Sequence, residues 1–122
     1  MTFNVTKEKD SDRLTLNGVL NQRSNDVLAA NNWNVCQYAL LLMMIAQVCD
    51  MKAGELLHVI AGCSYIRPPY PTGKRADQQR NSSGTKGMAE SGSKDFYAFT
   101  VDDLHVEDYV TGPQIKNIPI AV

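Results

Sequence analysis

Gln22-Arg23-Ser24-Asn25-Asp26-Val27-Leu28-Ala29-Ala30-Asn31-Asn32-Trp33-Asn34 joins two runs of opposite character, and this junction decides the fold. Upstream, Arg13 to Arg23 is rich in β-branched and apolar residues; downstream, Val35 to Cys49 is apolar nearly all round, with no glycine or proline to interrupt it. A strand therefore hands over to a helix, with Asn34 as the expected N-cap. A helix that is apolar on every side belongs beneath other elements, so this run is expected to be a buried central helix. Its most apolar part, Tyr38 to Cys49, falls well short of the roughly 20 residues that a membrane crossing needs.

Working outward, Phe3 to Thr6 is a second strand-like run, and Lys9-Asp10-Ser11-Asp12 supplies polar turn chemistry between it and Arg13 to Arg23. An antiparallel pair is expected. Along the second run Leu14, Leu16 and Leu20 share one face at period two, while Thr15, Asn17, Val19 and Asn21 share the other. Beyond the helix, Lys52-Ala53-Gly54 offers a stop, and Glu55 to Ala61 has strand content with Leu57, Val59 and Ala61 on one side. From Gly62 to Ser93 apolar residues thin out and no periodicity survives, so no ordinary core element is expected there. Order returns at Phe96-Tyr97-Ala98-Phe99, followed by the cap-like Thr100-Val101-Asp102-Asp103 and a strand from His105 to Val110. The expected architecture is a single α/β (α+β) domain over 1–122, a mainly antiparallel or mixed sheet packed on the central helix, with 62–93 as an aberrant, poorly ordered segment.

Bulk properties exclude more than they identify. A chain of 122 residues, 43% hydrophobic, suffices for one modest core. A formal charge of −1 provides no field to draw it to nucleic acid or to an acidic membrane, so neither is expected as a partner. Three cysteines, Cys36, Cys49 and Cys63, make an odd count without a secretory leader, which points to a reducing, cytoplasmic setting. Cys36 and Cys49 stand thirteen positions apart on one helix and point to roughly opposite sides, and His58 and His105 occur singly in strands. No ligand spacing for a metal emerges. Lys74, Arg75, Arg80 and Lys86 form a basic stretch, but it lacks the aromatic platforms of a single-strand binder and the glycines of a phosphate-binding loop.

The chemistry of the opening junction is more pointed. The guanidinium fork of Arg23 suits two phosphate oxygens at once, and the Ser24 hydroxyl adds a third donor. The Asn34 carboxamide offers one donor and one acceptor, which matches the carbonyl and N–H of a uracil edge. Spacing alone leaves a turn and an N-cap as the other reading of the same residues.

The run Gln22-Arg23-Ser24-Asn25-Asp26, then Asn34, Gln37-Tyr38-Ala39-Leu40-Leu41, Ala46-Gln47-Val48-Cys49 and Gly54-Glu55, resembles the thymidylate synthase family. Phe96-Tyr97-Ala98-Phe99, Ile115-Lys116 and Pro119-Ile120-Ala121-Val122 are similar to that family's C-terminus. The resemblance covers nearly all of 3–61 and 94–122. It implies reductive methylation of dUMP to dTMP with 5,10-methylenetetrahydrofolate, by a homodimeric methyltransferase without a metal. It implies that Arg23 and Ser24 hold the dUMP phosphate, with Asn25 beside them, that Asn34 reads uracil, and that Asp26 lies at the dUMP and folate boundary. Ala121 and Val122 look like the flap that closes over the folate. Aspartate in place of Asn34 would suit cytosine, so Asn34 favours uracil.

The same resemblance places the nucleophilic cysteine, which attacks C6 of the pyrimidine, upstream of Met1. None of Cys36, Cys49 or Cys63 has a comparable context, and the first two read as buried, inert thiols. The expectation is a chain that is catalytically incompetent alone; a non-enzymatic remnant that binds nucleotide weakly, or associates with intact subunits, is the alternative. The folate-site glycine expected after Leu28 is replaced by Ala30. After Ala61 the family is expected to continue Asp-Ala-His-Ile-Tyr-Asp-Arg-His-Ile-Pro. Its codons, with third bases chosen freely and read one base early, translate to Gly62-Cys63-Ser64-Tyr65-Ile66-Arg67-Pro68-Pro69-Tyr70-Pro71. A one-base insertion near Gly62 and a compensating change near Ser93, in the gene or in its sequencing, account for that pattern; a natural variable loop is the other reading. The shift removes the family's His-x-Tyr pair that holds the ribose hydroxyl, and Tyr65 stands one position early for that role.

Overall fold

The computed structural model describes residues 1–27, 29–64, 86–89 and 94–108. Strand β1 (Thr2–Lys7) pairs antiparallel with β2 (Leu14–Gln22), in a register running from Thr2 opposite Val19 to Lys7 opposite Leu14. On the other side of β2 runs β4 (Lys52–Ile60), parallel to it, so the main sheet is mixed, in the order β1-β2-β4. Parallel neighbours need a long crossover. Helix α1 (Asn31–Val48) supplies it and packs on β2 and β4.

The two-residue strands β3 (Asn25–Asp26) and β5 (Cys63–Ser64) pair in parallel just beyond the ends of β2 and β4. Strand β6 (Lys86–Ala89) pairs antiparallel with β7 (Leu104–Glu107). Two short strands thus lie inside 62–93, where composition alone gives no element. Single 3₁₀ turns at Phe96–Ala98 and Val101–Asp103 precede β7. In the second, the Thr100 N–H and hydroxyl both donate to Asp103 Oδ2, at 2.7 and 2.9 Å. Those bonds favour the ionised carboxylate and hold Asp103 below its ordinary range.

The core lies between α1 and one face of the sheet. Leu16, Leu42 and Ala46 are buried together, with Met1, Ile45, Met51, Ala53 and Leu56 packed around them. Leu20 is buried further along β2. The helix is less enclosed than its composition implies, for Leu42 and Ala46 are its buried residues and Trp33 is 80% exposed. Cys36 and Cys49 are both exposed, which corrects the expectation of buried thiols.

Both helix ends depart from the sequence expectation, each for a local reason. Asn34 does not cap the helix: it lies in the first turn, where its N–H donates to Ala30 O at 3.0 Å. The N-cap, Ala30, offers no side-chain acceptor. Asp26 organises the approach instead, its carbonyl accepting Ala30 N–H at 2.9 Å and its Oδ1 accepting Ala29 N–H at 3.0 Å. At the far end the chain turns at Asp50, with φ 55°, four residues before Gly54. Asp50 N–H reaches Gln47 O at 3.1 Å and Met51 N–H reaches Ala46 O at 2.7 Å, the paired bonds of a Schellman ending. Arg13 braces this turn, donating from Nε to Asp50 O at 3.3 Å and from Nη2 to Asp50 Oδ1 at 3.1 Å.

One irregularity organises the sheet. Leu16 faces Ala53, yet Gly18 faces Leu56, so β4 carries one more residue than β2 across that interval. The Glu55 N–H, turned out of the ladder by this bulge, donates to Asn17 Oδ1 at 3.0 Å, and Asn17 Nδ2 donates to Thr6 Oγ1 at 3.0 Å. A Cβ on Gly54 would overlap Asn17 Oδ1 and lie 2.6 Å from Thr15 Cγ2. Thr15 is buried, so the clash is not easily relieved. Gly54→Ala is expected to cost about 1–3 kcal/mol, the usual penalty for overpacking. The shift in urea midpoint measures it, and a wild-type midpoint would contradict the bulge geometry.

Candidate functional site

Parallel pairing brings the C-terminal ends of β2 and β4 to the same edge of the sheet. Arg23 and Ser24 leave β2 there, opposite Ala61 and Gly62 leaving β4. The backbone is held on both sides of this step. Ala61 N–H donates to Gln22 O at 2.9 Å, and Asn25 N–H donates to Gly62 O at 2.9 Å. Gly62 allows the close approach: a Cβ there would lie 3.1 Å from the Arg23 carbonyl oxygen.

Held by that backbone, Arg23 and Ser24 are both exposed. Among the described residues neither the Arg23 guanidinium nor the Ser24 hydroxyl has a hydrogen-bond or ion-pair partner. Two donors on consecutive residues, one of them permanently charged, stand at a strand end with no described residue neutralising them. Such an arrangement suits an anion with several oxygens.

Asn25 and Asn34 are brought together, whereas Arg23 and Ser24 stay on the rim. Asn25 is 2% exposed. Its Nδ2 donates to Asn31 Oδ1 at 2.6 Å, and its Oδ1 accepts Asn34 Nδ2 at 3.4 Å. A row of three carboxamides therefore runs from the first turn of α1 into β3 and back. Since Asn25 Oδ1 accepts, Asn34 must turn its nitrogen inward, which leaves its oxygen and a second N–H for another partner. Asn25 thus lies buried behind Asn34. Asp26 is half-buried, and its link to Ala29 N–H sets the turn leading into α1.

Ala121 and Val122 lie outside the described residues, as does Tyr65. Among the described residues no group of three His, Cys, Asp or Glu side chains is placed to hold a metal ion. No helix among them is long and apolar enough to cross a membrane. Open depressions among the described residues lie elsewhere. One of about 430 Å³ is bounded by Arg13, Asp50 and Met51 at the far end of α1, and one of about 290 Å³ by Tyr38, Leu41 and Leu104 on its outer side. Neither touches Arg23 or Asn34. The Arg23 and Ser24 donors and the carboxamide row are better guides to chemistry than either depression.

The contacts of Asn31 with Asn25 and of Gln22 with His58 are not readable from the sequence. Asn31 was visible only as one of several polar residues before the helix. Gln22 and His58 lie 36 positions apart, and their side chains meet at 2.7 Å because β4 runs parallel to β2.

The family model described as thymidylate synthase matches residues 1–122. Among solved structures, the thermostable thymidylate synthase A of Bacillus subtilis is similar to this chain with a TM-score of 0.79 and 28% sequence identity. The match covers 98% of this chain and 41% of that one, so the chain spans less than half the length of the enzyme it matches.

Proposed function

Because this chain belongs to the thymidylate synthase family, we propose that its residues 22–34 form the dUMP side of a pocket for the reductive methylation of dUMP to dTMP. The observation that carries this reading is the pair of donors on Arg23 and Ser24, without partners among the described residues, beside an oriented Asn34 carboxamide. Arg23 would grip the phosphate with Ser24, and Asn34 would present its oxygen and one N–H to the uracil edge. Asn25 would serve from behind by holding Asn34.

The family's co-substrate, 5,10-methylenetetrahydrofolate, supplies both the one-carbon unit and the hydride. Asp26, at the same rim, would border it, and Ala121 and Val122 are proposed to close over it. The nucleophilic cysteine is expected outside this stretch, so binding rather than turnover is the property proposed for the chain alone. A cytoplasmic setting is proposed with it.

A second reading, a non-enzymatic remnant that binds nucleotide weakly or only associates with intact subunits, is favoured by the outer sheet face. There Leu57 is 59% exposed and Val59 42% exposed, across the sheet from Val19 and Asn21. Association with an intact subunit through that face would cover them.

Isothermal titration with dUMP tests the reading. Binding is expected, and Arg23→Ala should weaken it by about 1.5–3 kcal/mol, roughly ten- to a hundredfold, the worth of a charge-assisted contact. Absence of heat with the unaltered chain would leave only the associating remnant.

A further inference from the structure

His58 is half-buried on β4, on the side of the sheet that faces α1, and its Nε2 lies 2.7 Å from Gln22 Oε1. Gln22 Nε2 in turn donates to the Ser24 carbonyl at 2.9 Å. The chemistry of this chain admits one arrangement. A backbone carbonyl only accepts, so the Gln22 amide must direct its nitrogen to Ser24 and its oxygen to His58. An amide oxygen also only accepts, so the proton on His58 must reside on Nε2.

From these contacts we infer that His58 is a positioning residue for the anion seat, acting through Gln22 to fix the peptide that follows Ser24. Backbone bonds hold Gln22 O and Asn25 N on either side of the step, and the Gln22 side chain holds the carbonyl between them. Without the His58 donor, the Gln22 amide oxygen loses its anchor and the side chain is held by its Ser24 bond alone, free to swing away. The Ser24–Asn25 peptide then loses its brace, and the Ser24 hydroxyl and Arg23 guanidinium lose their fixed relation to one another. In this role His58 acts on Gln22 and not on Arg23 or Ser24 directly. Its effect falls first on the phosphate, because the Asn25 side chain that holds Asn34 is anchored independently by its burial and its bond to Asn31.

This inference rests on the proposal that Arg23 and Ser24 take a phosphate, and the test separates the two. The probes are dUMP and 2′-deoxyuridine, which lacks the phosphate, titrated against the full chain and against His58→Leu and His58→Gln. Nitrogen–proton NMR spectra are recorded for the Gln22 side-chain amide and the Ser24 and Asn25 backbone amides. His58→Leu is expected to weaken dUMP about tenfold, the cost of one lost hydrogen bond, and to leave deoxyuridine unchanged. His58→Gln, which returns an amide N–H near the place of Nε2–H, is expected to restore dUMP binding to within about twofold. Unchanged dUMP binding in His58→Leu, equal loss for both probes, or no rescue by His58→Gln would overturn the inference. Where His58→Leu does not fold, Gln22→Leu cuts the same link from the other strand, and the same phosphate-dependent loss is required of it. If the unaltered chain binds no dUMP, the functional reading falls and the spectra alone decide the positioning role. Displaced Gln22, Ser24 and Asn25 signals in the leucine variant, restored in His58→Gln, uphold it; undisturbed signals end it.

Discussion

Asn25→Ala is expected to lower stability by about 2–3 kcal/mol and, in the same step, to free the Asn34 side chain. Asn25 is buried, and its amide is bonded at both ends. Truncation removes a donor from Asn31 and an acceptor from Asn34, and it opens a small void beneath the first turn of α1. Water can reach Asn31 and Asn34 in part, since both are half-exposed, which keeps the cost below that of a fully enclosed network. A urea titration with an unchanged slope and a lowered midpoint measures the loss. The second consequence is read with ligand. An Asn34 amide no longer held by its nitrogen can rotate, so preference for dUMP over dCMP should fall together with stability. Loss of stability with full base preference would show that Asn25 packs but does not orient.

Leu42→Ala carries the other large effect, about 3 kcal/mol or more. Leu42 is 2% exposed and meets Leu16 and Ala46 where the helix lies on the sheet. The buried apolar side chains among the described residues are Leu16, Leu20, Leu42 and Ala46, so a cavity at Leu42 removes a large share of what holds α1 down. Domains of this kind hold about 5–15 kcal/mol in total, so the cooperative melt is expected to broaden or vanish. Leu42→Met, which conserves volume, should stay within about 1.5 kcal/mol of wild type. A sharp, unshifted transition in Leu42→Ala would mean that the helix is held by something other than this contact.

How far the fold was legible can be traced through particular residues. The antiparallel pair β1 and β2 was evident because period two and a polar turn are both local signals. The existence of α1 was evident because an uninterrupted apolar run without glycine or proline has few other outcomes. Its ends were not. Asn34 has the chemistry of a cap, yet Asp26, eight positions earlier, already turns the chain with its carbonyl and side chain. Gly54 has the chemistry of a stop, yet Asp50 takes the left-handed conformation first because Arg13 and the Schellman bonds hold it there. In both cases a contact closer to the true end supersedes a stronger-looking residue beyond it.

The site divides along the same line. Arg23, Ser24 and Asn34 could be singled out because their functional groups match a phosphate and a pyrimidine edge. Asn25 could be included only as a neighbour, since its burial is a product of packing. The contact between His58 and Gln22 was invisible because strand order, not sequence spacing, makes them adjacent. Neighbours in a parallel pair are separated by an entire crossover.

The bulge at Gly54 and Glu55 acts as a change of phase within a single strand. Before it, odd-numbered Ala53 shares a side with Leu16; after it, even-numbered Leu56 and His58 take that side, and Leu57 and Val59 are sent to the other. Any alignment or library that treats 52–60 as one uninterrupted alternation will therefore mutate the wrong half of it. An indel repaired at the wrong residue there would invert every later position of the strand, His58 included.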